Sequence, residues 1–221
     1  MHKPAPPRLM GELAWLHEDD WLLAVNKPAG LLSVPGRGPE NADCAVVQVQ
    51  QRYPDARVVH RLDMGTSGIL IFARHLAAQQ ALSRAFETRQ TDKRYEALVN
   101  GLVQANEGEV DLPLRCDWPN RPRQMVDTDQ GKRALTRWQV VARDAAHHTT
   151  RMALFPITGR SHQLRVHMQA LGHAIVGDEE GAHAEPEVAA ASPRLMLHAT
   201  QLALPHPGTG RRFVVECPTP F

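Results

Sequence analysis

The stretch SGILIFA, residues 67–73, limits the possible fold more than any other part of the chain. After Gly68 it carries no polar side chain, and Ile69 and Ile71 are β-branched. Such a short, wholly apolar run bounded by turn residues reads as a strand covered on both faces. The chain must therefore lay material on two sides of a sheet. Further strands are expected at 21–25, 94–103, 134–143, 150–157, 194–204 and 211–218, where apolar and β-branched residues dominate. Helical spacing occurs in only three places. Residues 43–53 end at Pro54. Residues 75–89 put Leu76, Leu82 and Phe86 on one side. Residues 161–172 offer Ser161 as N-cap and Gly172 as the glycine past the last turn. Residues 103–131 are turn-rich and suggest a long ordered arm; 178–193 read as a loop. Many strands, few helices and no βαβα rhythm predict an α+β fold with a mixed, largely antiparallel sheet.

The 221 residues allow one or two domains. The expected division is a loose Pro-rich basic tail at 1–11 and a single domain at 12–221. No run of eighteen apolar residues suggests a membrane span, and the start lacks the apolar core of a signal peptide. A cytoplasmic protein is the expectation. Cys44, Cys116 and Cys217 are scattered and odd in number, which argues for free thiols rather than disulfides or a thiolate metal site. His162 and His167 are five apart, off the spacing of a helical metal pair. There is no Walker loop, no GxGxxG after a strand and no HExxH, so neither a cofactor nor a metal is expected.

The formal net charge is only +1, so the bulk basic signature of a nucleic-acid binder is missing. Its distribution is uneven. Residues 145–177 contain no Asp or Glu but hold Arg151, Arg160, Arg165 and five histidines. Between Asp55 and Glu87 the only acid is Asp63, among Arg57, Arg61, Arg74 and Arg84. Two such segments could meet in one electropositive cleft. Residue chemistry leaves two readings of Asp63 open. It can cap the turn before Thr66-Ser67-Gly68. Alternatively it is an arginine-held, ionised carboxylate suited to nucleophilic or electrostatic work. A glycosidase would want a second carboxylate nearby, and none is adjacent in sequence.

The stretch HRLDMGTSGILIFA, 60–73, resembles the HRLDxxTSG motif of pseudouridine synthases of the RluA type. NKPAGLLSVPG, DKRYEALV and PITGRSHQLRVHMQALGHAIVGD resemble three further motifs of that family, in the same order. LPLRCDWPNRP is similar to the subgroup that acts on both 23S ribosomal RNA and tRNA. The resemblance implies an isomerase that breaks the N1–C1′ bond of a uridine in RNA and joins C5 to C1′, without cofactor or metal. It implies Asp63 as nucleophile or base and Arg165 as its partner. Tyr95 would lie against the base, and Arg61 would fill the stack when the uridine flips. Arg160, His162, Arg121 and Arg123 are expected RNA contacts, with Lys132 and Arg133 as outlying ones. RNA is the expected partner, a monomer the expected state, and no S4-type RNA-binding unit is expected. Glu179 and Glu180 depart from the family pattern, which has a basic residue and a tyrosine there. A non-catalytic RNA binder on the same fold, or a nucleoside hydrolase using Asp63, are the competing readings.

Overall fold

The computed structural model describes residues 13–38, 41–178 and 184–221. The expected tail and the Glu179-Glu180 departure lie outside them. In chain order the strands are β1 (Ala14–Glu18), β2 (Leu22–Lys27), β3 (Arg57–Val58), β4 (Ser67–Ala73), β5 (Asp92–Asn100), β6 (Glu107–Asp111), β7 (Leu114–Cys116), β8 (Gln124–Val126), β9 (Leu135–Asp144), β10 (Thr149–Pro156), β11 (Leu197–Pro205) and β12 (Arg212–Glu216). The helices are α1 (Ala45–Arg52), α2 (Leu76–Glu87), α3 (Gln163–Ala170) and α4 (Pro186–Ala190).

The main sheet runs β1-β2-β4-β11-β5-β10-β9-β6, with β3 on the edge of β4 and β12 on that of β11. The SGILIFA run is β4, and all seven of its residues are buried. It is inner because β2 pairs it throughout on one side, while β11 and then β3 share the other. Every strand pair in the sheet is antiparallel except β4 with β11. Those two meet only at Ser67–His198 and Gly68–Ala199, then diverge. Gly68 permits that approach: its φ is +108°, and a Cβ there would sit 2.3 Å from the Ala199 carbonyl oxygen.

The junction divides the core. One cluster gathers around β2, β4, α1 and α2, with Leu23, Val49, Phe72 and Leu82 fully buried. The other gathers around β5, β10 and α3, with Met152, Leu154 and Met168 fully buried. Tyr95 packs against both. Cys44 and Cys217 are buried free thiols and Cys116 is half-buried and free.

Four local expectations need correction. β1 was not anticipated; its residues AWLHE are mostly half-buried and show no clean alternation. Helix α2 buries Ala78, Leu82 and Ala85, whereas Leu76 is exposed and Phe86 only half-buried. The cap of α3 is His162, in left-handed backbone at φ 53°, rather than Ser161. No side chain caps α3; Gln163 instead ties down the preceding turn, its Oε1 accepting the Arg160 N–H at 3.0 Å. Finally, 178–193 is not all loop, since α4 lies within it. The 103–131 arm is ordered, as expected, and carries β6 and the β7–β8 hairpin.

Candidate active site

Asp63 stands four residues before the β4–β11 junction, and its backbone is pinned from several sides. Thr66 N–H donates to the Asp63 carbonyl at 3.1 Å, so main chain closes the turn and the carboxylate is not the cap. Ser33 Oγ donates to the Leu62 carbonyl at 2.7 Å and accepts the Leu62 N–H at 3.0 Å. Lys27 is fully buried, and its Nζ donates to the carbonyls of Pro28, Leu31 and Met64 at 2.9, 2.7 and 3.1 Å. His60 Nε2 accepts the Ile71 N–H at 3.1 Å, and its ring stacks on Phe86 with centroids 4.8 Å apart. Burial and nearby Lys93 push its pKa down to about 3, so the ring is a neutral acceptor. Backbone pinned on both sides fixes the position of the Asp63 carboxylate.

Arg165 comes from α3, and its side chain is only 1% exposed. Its Nη1 lies 3.9 Å from Asp63 Oδ2, a loose pairing. The tight partner is Asp178, which takes Nε at 3.1 Å to each oxygen and Nη2 at 2.5 Å. Asp178 thus takes the tight pairing with Arg165, and the expected Arg165–Asp63 pairing is the looser of the two. The position of Asp178 was visible in the sequence, as the first acid after the acid-free window, but nothing there says that it turns back onto Arg165.

Burial and the nearby cations act on Asp63 in opposite directions. Burial pushes its pKa above the ordinary carboxylate value, and the opposing pull of Arg165, then Lys27, then Arg61 is smaller. The cations offset part of the effect of burial. The carboxylate, 30% exposed, is consequently more basic and less solvated than a surface Asp.

Tyr95 arrives from β5. Its phenol is pushed well above its ordinary value, first by burial and then by the Asp63 charge. It stays protonated at neutral pH and offers a ring face rather than a base. Arg61 and Arg160 are exposed. Burial, followed by Arg165, pushes His162 down to about 3, so it brings shape but no positive charge. Gln163, unnoticed in the sequence, is buried. Besides the Arg160 N–H it accepts from the Thr158 hydroxyl at 2.8 Å, and it donates to Leu135 O and Thr136 Oγ1, both at 3.0 Å. It thereby fixes the 158–160 turn against the sheet.

Asp63, Tyr95, Arg165, Arg61, Arg160 and His162 line one pocket of about 120 Å³. The two acid-poor segments do converge. The pocket shares Asp63, Tyr95, Lys93 and Arg160 with a groove of about 1610 Å³, in which, among the described residues, Arg37, Arg61, Arg89, Lys93, Arg121 and Arg160 face only Asp63 and Glu87 as acids. Other arginines are occupied elsewhere: Arg74 lies over the Tyr53 ring at 4.3 Å, and Arg151 pairs with Glu96 at 3.4 Å. Arg123, Lys132 and Arg133 do not line the groove; Arg133 sits 3.7 Å from Asp111. Among the described residues no group of three His, Cys, Asp or Glu is placed to hold a metal ion.

A positioned carboxylate beside an aromatic ring, at the floor of a cationic groove, can react with a group brought in on a polyanion. Comparison with known proteins agrees. The family model described as RNA pseudouridylate synthase matches residues 21–170. The dual-specificity RNA pseudouridine synthase RluA of Yersinia pestis is 51% identical over 206 residues, covering 93% of this chain and 98% of its own. The protein of the same name from Escherichia coli K12 is 51% identical over 209 residues, covering 95% and 94%. The solved structure of human RNA pseudouridylate synthase domain containing 1 superposes with TM-score 0.79 at 31% identity, covering 95% of this chain and 84% of that one.

Proposed function

The chain belongs to the RNA pseudouridylate synthase family, and on that premise we propose that it isomerises uridines in stem-loops of 23S ribosomal RNA and of tRNA, the anticodon stem-loop included, with Asp63 as the reacting carboxylate. The observation that carries the assignment of roles is the placement of Asp63. It meets Tyr95 and Arg165 in a pocket continuous with a groove that, among the described residues, is lined by six Arg or Lys side chains and two acids. The name dual-specificity, borne by relatives about half identical to this chain, supports two classes of RNA.

The reaction breaks N1–C1′ and makes C5–C1′. N1 gains a proton and C5 loses one, so the change is redox-neutral and calls for no cofactor. Asp63 acts as nucleophile or base on the nucleoside. Arg165, held by its fork on Asp178, faces the Asp63 carboxylate and keeps it charged and aimed. Tyr95 stacks on the base. Flipping a uridine out of its stack costs a few kcal/mol. Arg61, exposed beside Asp63, offsets that cost by entering the vacated space. Arg160 and Arg121 meet phosphates, His162 shapes the pocket wall, and Arg123 has at most an outlying contact. Residues 12–221 act as one catalytic domain that reads RNA by itself, as a monomer in the cytoplasm.

Tritium release from a transcript labelled at uridine C5 tests the scheme. The wild type should release tritium, and Asp63→Asn and Asp63→Ala should not. Equal release from wild type and variants would remove Asp63 from the chemistry. RNA binding without release would favour a non-catalytic binder, and free uracil as product would mean hydrolysis.

A further inference from the structure

The scheme above leaves Lys93 without a task. It lies on β5 two residues before Tyr95, so both side chains leave the same face of the strand. Both line the pocket and the groove. Lys93 is half-buried, yet among the described residues its ammonium has no hydrogen bond and no ion pair. The charge of Asp63 is met by Arg165, Lys27 and Arg61, not by Lys93. What Lys93 meets instead is another cation, Arg89, whose field adds to burial in pushing its pKa down. Close to its end group is Gly159, where a Cβ would stand 4.0 Å from Nζ and where the groove wall has no side chain.

A desolvated cation with a like-charged neighbour and no anion is costly to keep. It becomes favourable when a ligand brings the anion. The anions that travel with a flipped uridine are its own flanking phosphates, which position a nucleotide without reading its sequence. We propose that Lys93 binds a backbone phosphate flanking the target uridine and anchors that nucleotide while its base enters the Tyr95 pocket. The proposal rests on the reading of the site given above and adds a positioning residue to it. It also gives the pocket a physical preference for a nucleotide within a chain over free uridine or uracil.

The test uses a synthetic anticodon stem-loop with a neutral methylphosphonate at either the 5′ or the 3′ phosphate of the target uridine. On unmodified RNA, Lys93→Met should lower kcat/KM about ten-fold, the scale of one charge-assisted hydrogen bond, mainly through KM. For the wild type, one of the two methylphosphonates should cause a similar loss. At that position the variant should lose little more, because both changes remove the same contact. Lys93→Arg should retain part of the effect, and Lys93→Gln serves for the same cycle should the methionine variant not fold. Losses that multiply at both phosphates would overturn the assignment while leaving the activity intact. Absence of pseudouridine with the wild type on every RNA tried would overturn the activity reading, and this inference with it.

Discussion

The Arg165–Asp178 fork makes a prediction that separates fold from chemistry. Both side chains are 1% exposed and joined by three contacts of 3.1 Å or less. Removing one partner of such a buried pair deprives the other charge of its tight counter-ion and costs about 3–5 kcal/mol. For a chain of this length that lowers Tm by roughly 6–20 °C. Asp178→Asn and Arg165→Met should each show a loss of this size in thermal or urea unfolding. The double variant buries neither charge, so it should recover most of the stability, and the cycle should close with a large coupling term. Turnover should behave differently. Arg165 is the first of the cations opposing the effect of burial on Asp63, so Arg165→Met should cut kcat far more than RNA affinity. The double variant should stay slow although it is stable again. Additive stability losses would refute the buried fork. Recovery of turnover along with stability would reduce Arg165 to a structural element, and loss of turnover in proportion to binding would make it a phosphate contact.

Asp63→Asn should be inactive but more stable at neutral pH. The folded pKa is raised, so the charge is disfavoured in the fold, and its cost grows as pH rises through that pKa. The difference in Tm should vanish as pH falls below the ordinary carboxylate value, and no difference at pH 7 would count against the burial argument. The acid limb of the wild-type pH–rate profile should accordingly lie above that ordinary value. Tyr95→Phe should keep RNA affinity and the shape of the profile, since the phenol is pushed above its ordinary pKa of 10. An alkaline limb below pH 10 that disappears in this variant would make Tyr95 a base. RNA binding should weaken steeply with salt despite the net charge of +1. Neutralising Arg121 or Arg160 should lower the slope by about one each, and neutralising Arg123 should leave it unchanged.

The sheet could be read from sequence where residues carry a local signature. β4 declared itself by having no polar face, and α1 and Gly172 by familiar stop signals. β1 did not, because its half-buried residues have no clean alternation. Ser161 does not cap α3 because the left-handed turn at His162 separates it from the helix, and no local preference announces that turn. The same division holds in the site. Asp63, Tyr95, Arg61 and Arg165 stood out by motif. Asp178 and Lys27 lie within the same motifs without showing their roles, because their importance lies in what they touch across the fold. One forks onto an arginine in α3, and the other gathers three carbonyls around the Asp63 turn.

Those two residues explain how Asp63 can be both buried and charged. A carboxylate paired directly and tightly with an arginine would be stable, weakly basic and a poor nucleophile. Here the tight pairing belongs to Asp178, and Arg165 reaches Asp63 only at 3.9 Å. Lys27 spends its hydrogen bonds on carbonyls and acts on Asp63 through its field alone. Each cation is held in place by another group, so neither needs to collapse onto the carboxylate. Burial can then raise the basicity of Asp63 while the surrounding field still favours its ionised form enough for use at neutral pH. Asp178 therefore matters to the chemistry without touching the substrate. By saturating one face of Arg165 it limits how strongly the arginine can quench the acid beside it.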